Sequence, residues 1–353
     1  MSKVILSSEK FVKFIAYMQV IGIILVVFGH SFHEYPDGNH GTSMLIYRMM
    51  FSFRMPTFMF VSGFLMAFTT FLRNDVCNIS YKKFVKNKIK RLLIPYAVLT
   101  LVTFFPRAMM SPMADDALEM SWAGLMRGFL YMEYMPVPLF WFIQASFLLL
   151  VFSFSIMYVT ARCGVNKYVG VCSMIVLFTM LPFFEISNVA FFSIGYAVKY
   201  GLFFSCGIIY AISYKKIDAV VPFHRVAFLI ISGALWGILF FVTEYTVFYP
   251  LCQLAGIVMV ISMAHIMECR DIKVIDHLIG SNYMIFLLSW YFNVLAQQVL
   301  AHIIVLPWYI HTALSLVLGI YIPYLCYRYL CSHQHLRGIR CVACLLGQNI
   351  GRK

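Results

Sequence analysis

The chain has 353 residues, 62% of them hydrophobic and 12% charged, with a net charge of +13 and a mean hydropathy of +0.85. Soluble domains run at about 45–50% apolar and 25% charged, so the composition excludes a large soluble core and specifies a polytopic membrane protein. The basic excess then reports loops facing anionic headgroups rather than nucleic acid. The ten cysteines, mostly scattered in apolar runs, act as small apolar residues and not as a disulfide framework.

The first apolar run ends in Phe28-Gly29-His30 and not in a small-residue cleavage site, which predicts an uncleaved membrane helix. Taken in order, ten stretches have the length of roughly 20 residues that crosses the hydrocarbon. They are 12–32, 44–71, 92–110, 139–160, 168–186, 190–212, 226–246, 248–268, 279–303 and 309–330. With the N-terminus inside, 22 of the 27 lysines and arginines fall on the inner side, and only Arg48, Arg54, Arg107, Arg127 and Lys199 do not. The positive-inside rule therefore predicts an all-α protein with an even number of spans and both termini cytoplasmic. The absence of an evident internal repeat argues against an inverted-repeat transporter.

The stretch from His30 to Gly63 concentrates the chemistry. His30 closes the first span, and the second span carries Arg54-Met55-Pro56 and Ser62-Gly63. Ionisable groups are costly in a membrane and mark functional sites there. His30 reads either as a hydrated interfacial histidine or as a general base, since histidine titrates near neutral pH. Gln19 lies eleven residues earlier, about 16 Å along the same helix face. The ordered set continues with Met55-Pro56-Thr57-Phe58, Val61-Ser62-Gly63-Phe64, the basic run from Tyr81 to Arg91 leading to Pro95-Tyr96, and Trp141-Phe142. Leu202-Phe203-Phe204 with Gly207, and Gly280 with Tyr283 and Phe286-Leu287, complete it.

This set resembles the acyltransferase family 3 membrane proteins, which carry acyl groups to cell-surface sugars and other acceptors. The resemblance extends over nearly the whole chain and implies a membrane acyltransferase domain at 1–331, followed by a short basic cytoplasmic tail at 332–353. It implies acetyl-CoA as acyl donor, no metal, and a glycan or lipid-linked glycan as acceptor. The bilayer is the other partner, nucleic acid is not one, and a bacterial inner membrane is the expected location. Two positions depart from the family pattern: Gln19 stands where an arginine or lysine is usual, and Ser289 where a histidine is frequent.

Acyl transfer to a hydroxyl needs a base, a site for a polyanionic nucleotide and donors for the oxyanion. The resemblance gives His30 the role of base and Arg54 that of oxyanion or acceptor cation. Gln19, Lys82, Lys83, Lys88 and Arg91 fall to the donor site, and Ser62, Trp141 and Lys199 to the acceptor. Lys88 and Arg91, three apart, share a helix face. The basic run also serves as a topology signal, and Lys199 can reach back to the outer interface. A polytopic exporter or flippase of polysaccharide intermediates is the alternative, and a membrane glycosyltransferase is third. Metal readings of His30 with His33-Glu34 are broken by Pro36. Asp115-Asp116 read as a solvated loop, and the tail Cys331, His333, His335, Cys341 and Cys344 has irregular spacing. The topology is tested by reporter fusions. Fusions at Lys83, Lys216 and Lys353 are expected to report cytoplasm, and those near Asp37, Asp116 and Pro307 the outside. An outside signal at Lys353 would make the span count odd.

Overall fold

A helix that is apolar all round buries all of its faces, and the first helix does so. In the computed structural model α1 (Lys13–Ser31) buries Tyr17, Met18, Val20, Ile23, Val26 and Val27, residues from every side of the helix. The structure describes residues 13–32, 41–72, 76–110, 118–244, 246–270, 272–303 and 307–348. Among them there is no strand, only an isolated bridge between Tyr131 and Phe191. The chain is an all-α polytopic membrane protein, as its composition requires.

The helices follow the expected order. α2 (Gly41–Met66) runs into a π-helical turn at Ala67–Phe71. α3 (Tyr81–Lys88) continues through a second π-helical turn, Ile89–Leu93, into α4 (Ile94–Met110). α5 (Trp122–Leu130) is short. α6 (Trp141–Arg162), α7 (Lys167–Met180), α8 (Ile194–Val220), α9 (Val226–Thr243) and α10 (Tyr249–Arg270) follow. The short α11 (Lys273–Asp276) precedes α12 (Asn282–Ile303), α13 (Trp308–Ser332) and the amphipathic α14 (Arg337–Leu345). Among the described residues nine helices are long and apolar enough to cross a membrane. The expected segment at 279–303 is α12, which lies outside those nine; its 22 residues extend about 33 Å. One boundary is corrected. The basic stretch 82–91, expected between the second and third spans, is helical and continuous with the third. Pro95 has no N–H and its ring presses on the carbonyl of Arg91; the wider π-helical turn just before it accommodates that conflict without ending the helix.

The chain divides into two compact units. The first holds residues up to Val61 and Tyr214–Tyr327. Within it α1 packs on α10 and α12, and α10 lies along α9. Gly22 of α1 admits the ring of Phe58 and Gly256 of α10 admits Phe53, close approaches that a Cβ would block. Trp236 of α9 stacks edge-on against Phe53 at 5.1 Å and donates from Nε1 to the Ser52 hydroxyl at 3.1 Å. At the start of α1, Phe14 stacks on His265 at 4.3 Å and the Tyr17 hydroxyl donates to Asp276 at 2.7 Å. Arg48 and Glu244 form a two-point ion pair.

The second unit holds Ser62–Ser213 and Arg328–Lys353. Here α6 packs against α7 and the π-helical turn Ile89–Leu93. Phe84 of the basic helix stacks on the buried Phe154 at 4.0 Å, which fixes α3 by its one apolar face. A buried amide completes the unit. Gln144 donates to the Tyr96 hydroxyl at 3.0 Å and to the Phe129 carbonyl at 2.8 Å, and accepts from Ser193 at 2.7 Å. A buried polar network of this kind is stabilising only when its members are satisfied, and Pro95-Tyr96 thereby has a structural role.

Gly63 lies against the backbone of Phe204, where a Cβ would fall on the Phe204 carbonyl oxygen, whereas a Cβ on Gly237 meets nothing within 4 Å. Gly63→Ala is therefore expected to cost about 1–3 kcal/mol by overpacking. Gly237→Ala is expected to be neutral or to gain up to about 1 kcal/mol from helix propensity. Thermal unfolding of the purified variants in one detergent checks both signs.

Candidate active site

The last four carbonyls of a helix have no intrahelical donor, and within a membrane there is no water to serve them. α1 ends at Ser31, and α12 supplies the donors. Gln297 donates from Nε2 to the His30 carbonyl at 2.8 Å and reaches the Phe32 carbonyl at 3.4 Å. One turn earlier Asn293 donates from Nδ2 to the Val27 carbonyl at 3.2 Å. Asn293 is 1% exposed, so this amide lies inside the unit. Ser289, one turn earlier again, is equally buried. His30 thus occupies the final turn of a helix whose end is gripped from a neighbouring helix.

Arg54 comes to the same place from α2. It is 4% exposed, and its guanidinium lies directly on Gly29, where a Cβ would collide with Nη1. The residue before His30 must be this small for Arg54 to fit, and the Arg54 charge acts on His30 electrostatically. Arg54 is the fourteenth residue of α2, about 20 Å from the start of that helix, which sets this contact well below the helix end. Phe51 and Tyr47 cover the guanidinium, with ring centroids 4.7 Å and 5.6 Å from Cζ. Such cation–π contacts strengthen when they are desolvated. Beyond them Phe32 meets Phe28 at 4.8 Å, Tyr47 at 6.0 Å and Trp308 at 6.1 Å. The His30–Arg54 pair therefore has an aromatic cover on the side where α1 ends. His311, fully buried, lies one turn into α13 from Trp308.

The other expected site residues distribute as follows. Gln19 lies half-buried in α1, in the first unit with His30 and Arg54. Ser62, Lys82, Lys83, Lys88, Arg91, Trp141 and Lys199 belong to the second unit. Lys82, Lys83 and Arg91 are exposed and Lys88 is half-buried, its ammonium 5.1 Å from the Phe84 ring. Lys88 and Arg91 are near enough for their charges to interact. Ser62 is half-buried beside Gly63. Trp141 stacks with Tyr196 at 4.2 Å and Tyr200 at 5.5 Å, and the exposed Lys199 lies 5.9 Å over Tyr200. Trp141 and Lys199 thus share one aromatic platform. His33-Glu34, Pro36 and Asp115-Asp116 lie outside the described residues. Among the described residues no group of three or more His, Cys, Asp or Glu could hold a metal ion, the tail cysteines and histidines included.

Asn293 and Gln297 were not among the expected site residues, although two amides four apart in an apolar span are a readable signal: in hydrocarbon each amide needs an internal partner. Phe32 and Trp308 carried no such signal, because aromatics are frequent throughout the chain.

A family model described as an acyltransferase domain matches residues 12–328. No curated protein and no solved structure matches the chain.

The contact between Gly29 and Arg54 is open to a double-mutant cycle. Gly29→Ala is expected to destabilise by about 1–3 kcal/mol. Gly29→Ala with Arg54→Ala is expected to lose clearly less than the sum of the single variants, since contacting residues couple. Additive losses in thermal unfolding would place the guanidinium elsewhere.

Proposed function

The chain belongs to the acyltransferase 3 family and is a membrane acyltransferase, and from that premise we propose an O-acyltransferase of the cell envelope. It transfers an acetyl or similar short acyl group from coenzyme A to a hydroxyl of a surface polysaccharide or its lipid-linked precursor, in a bacterial inner membrane. The observation that carries this reading is His30 held in the last turn of α1 with Arg54 against Gly29. His30 takes the proton of the acceptor hydroxyl, whose oxygen attacks the thioester carbonyl. Arg54, a fixed and desolvated cation, offsets the charge that develops on that carbonyl oxygen. The tetrahedral species collapses with loss of the coenzyme A thiolate, which takes up the proton from His30.

The helical basic run serves the donor. Exposed Lys82, Lys83 and Arg91 attract the coenzyme phosphates over roughly 8 Å at physiological salt, and arginine can bind a phosphate through paired hydrogen bonds. Gln19 supplies a neutral partner where relatives carry a cation, so the run bears more of the donor affinity here. The aromatic platform of Trp141, Tyr196 and Tyr200 with Lys199 suits an acceptor with both apolar faces and negative charge.

Deleting the gene is expected to remove an alkali-labile ester from the surface glycan. An exporter or flippase would instead reduce glycan at the surface without changing its ester content. For the donor, Lys88→Ala with Arg91→Ala is expected to raise the apparent KM for acetyl-CoA severalfold, with a smaller effect on the acceptor, and Gln19→Arg to be tolerated or to improve donor use. Assay of purified protein in nanodiscs checks this. Unchanged acetyl-CoA dependence in a correctly inserted double variant would reduce the basic run to a topology signal.

A further inference from the structure

α12 presents three polar side chains in register, Ser289, Asn293 and Gln297, each four residues from the next and hence on one helix face. Two of them are used on α1. Gln297 spans the carbonyls of His30 and Phe32, at 2.8 Å and 3.4 Å, and Asn293 holds that of Val27 at 3.2 Å. These acceptors are the carbonyl of the histidine itself, that of the residue just past the helix end, and one a turn earlier. The amide of Asn293 also lies where Gly319 of α13 leaves room for it; a Cβ there would fall on Oδ1. The same turn of α1 is bounded on another side by Arg54 against Gly29.

We propose that Gln297 and Asn293 are positioning residues for His30: a pair of amides on α12 that grip the carbonyls of the last turn of α1 and fix the height and direction of the imidazole relative to Arg54. The physical case is that the terminal turn of a helix frays unless its carbonyls are satisfied; among the described residues the side-chain donors to the His30 and Phe32 carbonyls come from α12, and Asn293 joins the Ser31 hydroxyl, at 2.8 Å, on the Val27 carbonyl. A displacement of a single ångström can cost about a hundredfold in rate. The role in transfer rests on the acyltransferase reading; the grip on α1 does not.

The test uses the full chain in nanodiscs with Gln297→Met, which keeps the volume and removes the donor, and with Gln297→Leu and Asn293→Leu, which also remove it. Two quantities are read. One is transfer of labelled acetyl from acetyl-CoA to surface glycan from the same cells, freed of its esters by alkali. The other is the rate at which diethyl pyrocarbonate modifies His30, followed by mass spectrometry with exposed His335 as internal reference. The expected result is a fall in kcat of about tenfold to a hundredfold, with KM for acetyl-CoA changed less than about twofold, and modification of His30 several times faster at an unchanged His335 rate. Wild-type kcat and wild-type His30 modification in Gln297→Met or Gln297→Leu would overturn the proposal, because a side chain that cannot donate would then suffice. If Gln297→Met does not reach the membrane, Gln297→Leu and Asn293→Leu decide by the same readings. If the wild-type chain transfers no acetyl, the acetyl-CoA reading is refuted, and the modification rates alone decide whether the grip exists.

Discussion

A helix that ends within a membrane must find donors for its last carbonyls, because hydrocarbon offers none. α1 ends where Arg54, about 20 Å into α2, lies against Gly29; its carbonyls at Val27 and His30, and that of Phe32 just past its end, accept from amides of α12. Much of the first unit is arranged around this end. Gly22 and Gly29 shape one face of α1 to take Phe58 and Arg54, while Gly319 gives Asn293 its place. The aromatic rings of Phe32, Tyr47, Phe51 and Trp308 cover the result. A titratable imidazole and a guanidinium are thereby held together in a low-dielectric setting, where fixed charges act more strongly than in water.

The sequence was most legible where the membrane constrains it most. Composition alone requires an all-helical polytopic protein, and the spans fall close to the helices because about 20 apolar residues are needed to cross. His30 and Arg54 were visible for the same reason: ionisable groups in apolar runs are rare enough to stand out. Amides stand out less. Asn293 and Gln297 sit among many polar positions of neutral charge, and their purpose shows only when α12 is seen to face carbonyls of α1, a contact between residues more than 260 apart. The helical form of the basic run was partly hidden. Lysine-rich sequence resembles a solvated loop, and its docking uses two rings, Phe84 and Tyr81, against Phe154. The role of Gly29 was hidden altogether, since a glycine beside a histidine gives no sign that an arginine will fill the missing side chain.

Each unit carries a separate part of the proposed chemistry. The first contains His30, Arg54 and the amides of Asn293 and Gln297; the second contains the basic helix and the aromatic platform of Trp141, Tyr196 and Tyr200. In the proposed reaction these parts have different kinetic signatures. Groups acting on the transition state alter kcat, whereas groups that only hold the donor alter KM. The neutral Gln19 makes that division sharper, because α1 carries no lysine or arginine between Lys13 and His30.

The central claim is that His30 is the base of an acyl transfer. The most direct measurement is the transfer of carbon-14 acetyl from acetyl-CoA to surface glycan by purified His30→Ala and wild-type protein, inserted to equal extent in nanodiscs. The account predicts transfer by the wild-type chain and a loss of at least about a hundredfold in the variant, at the lower end of what a positioned acid–base group contributes. Transfer by His30→Ala at close to the wild-type rate would contradict it.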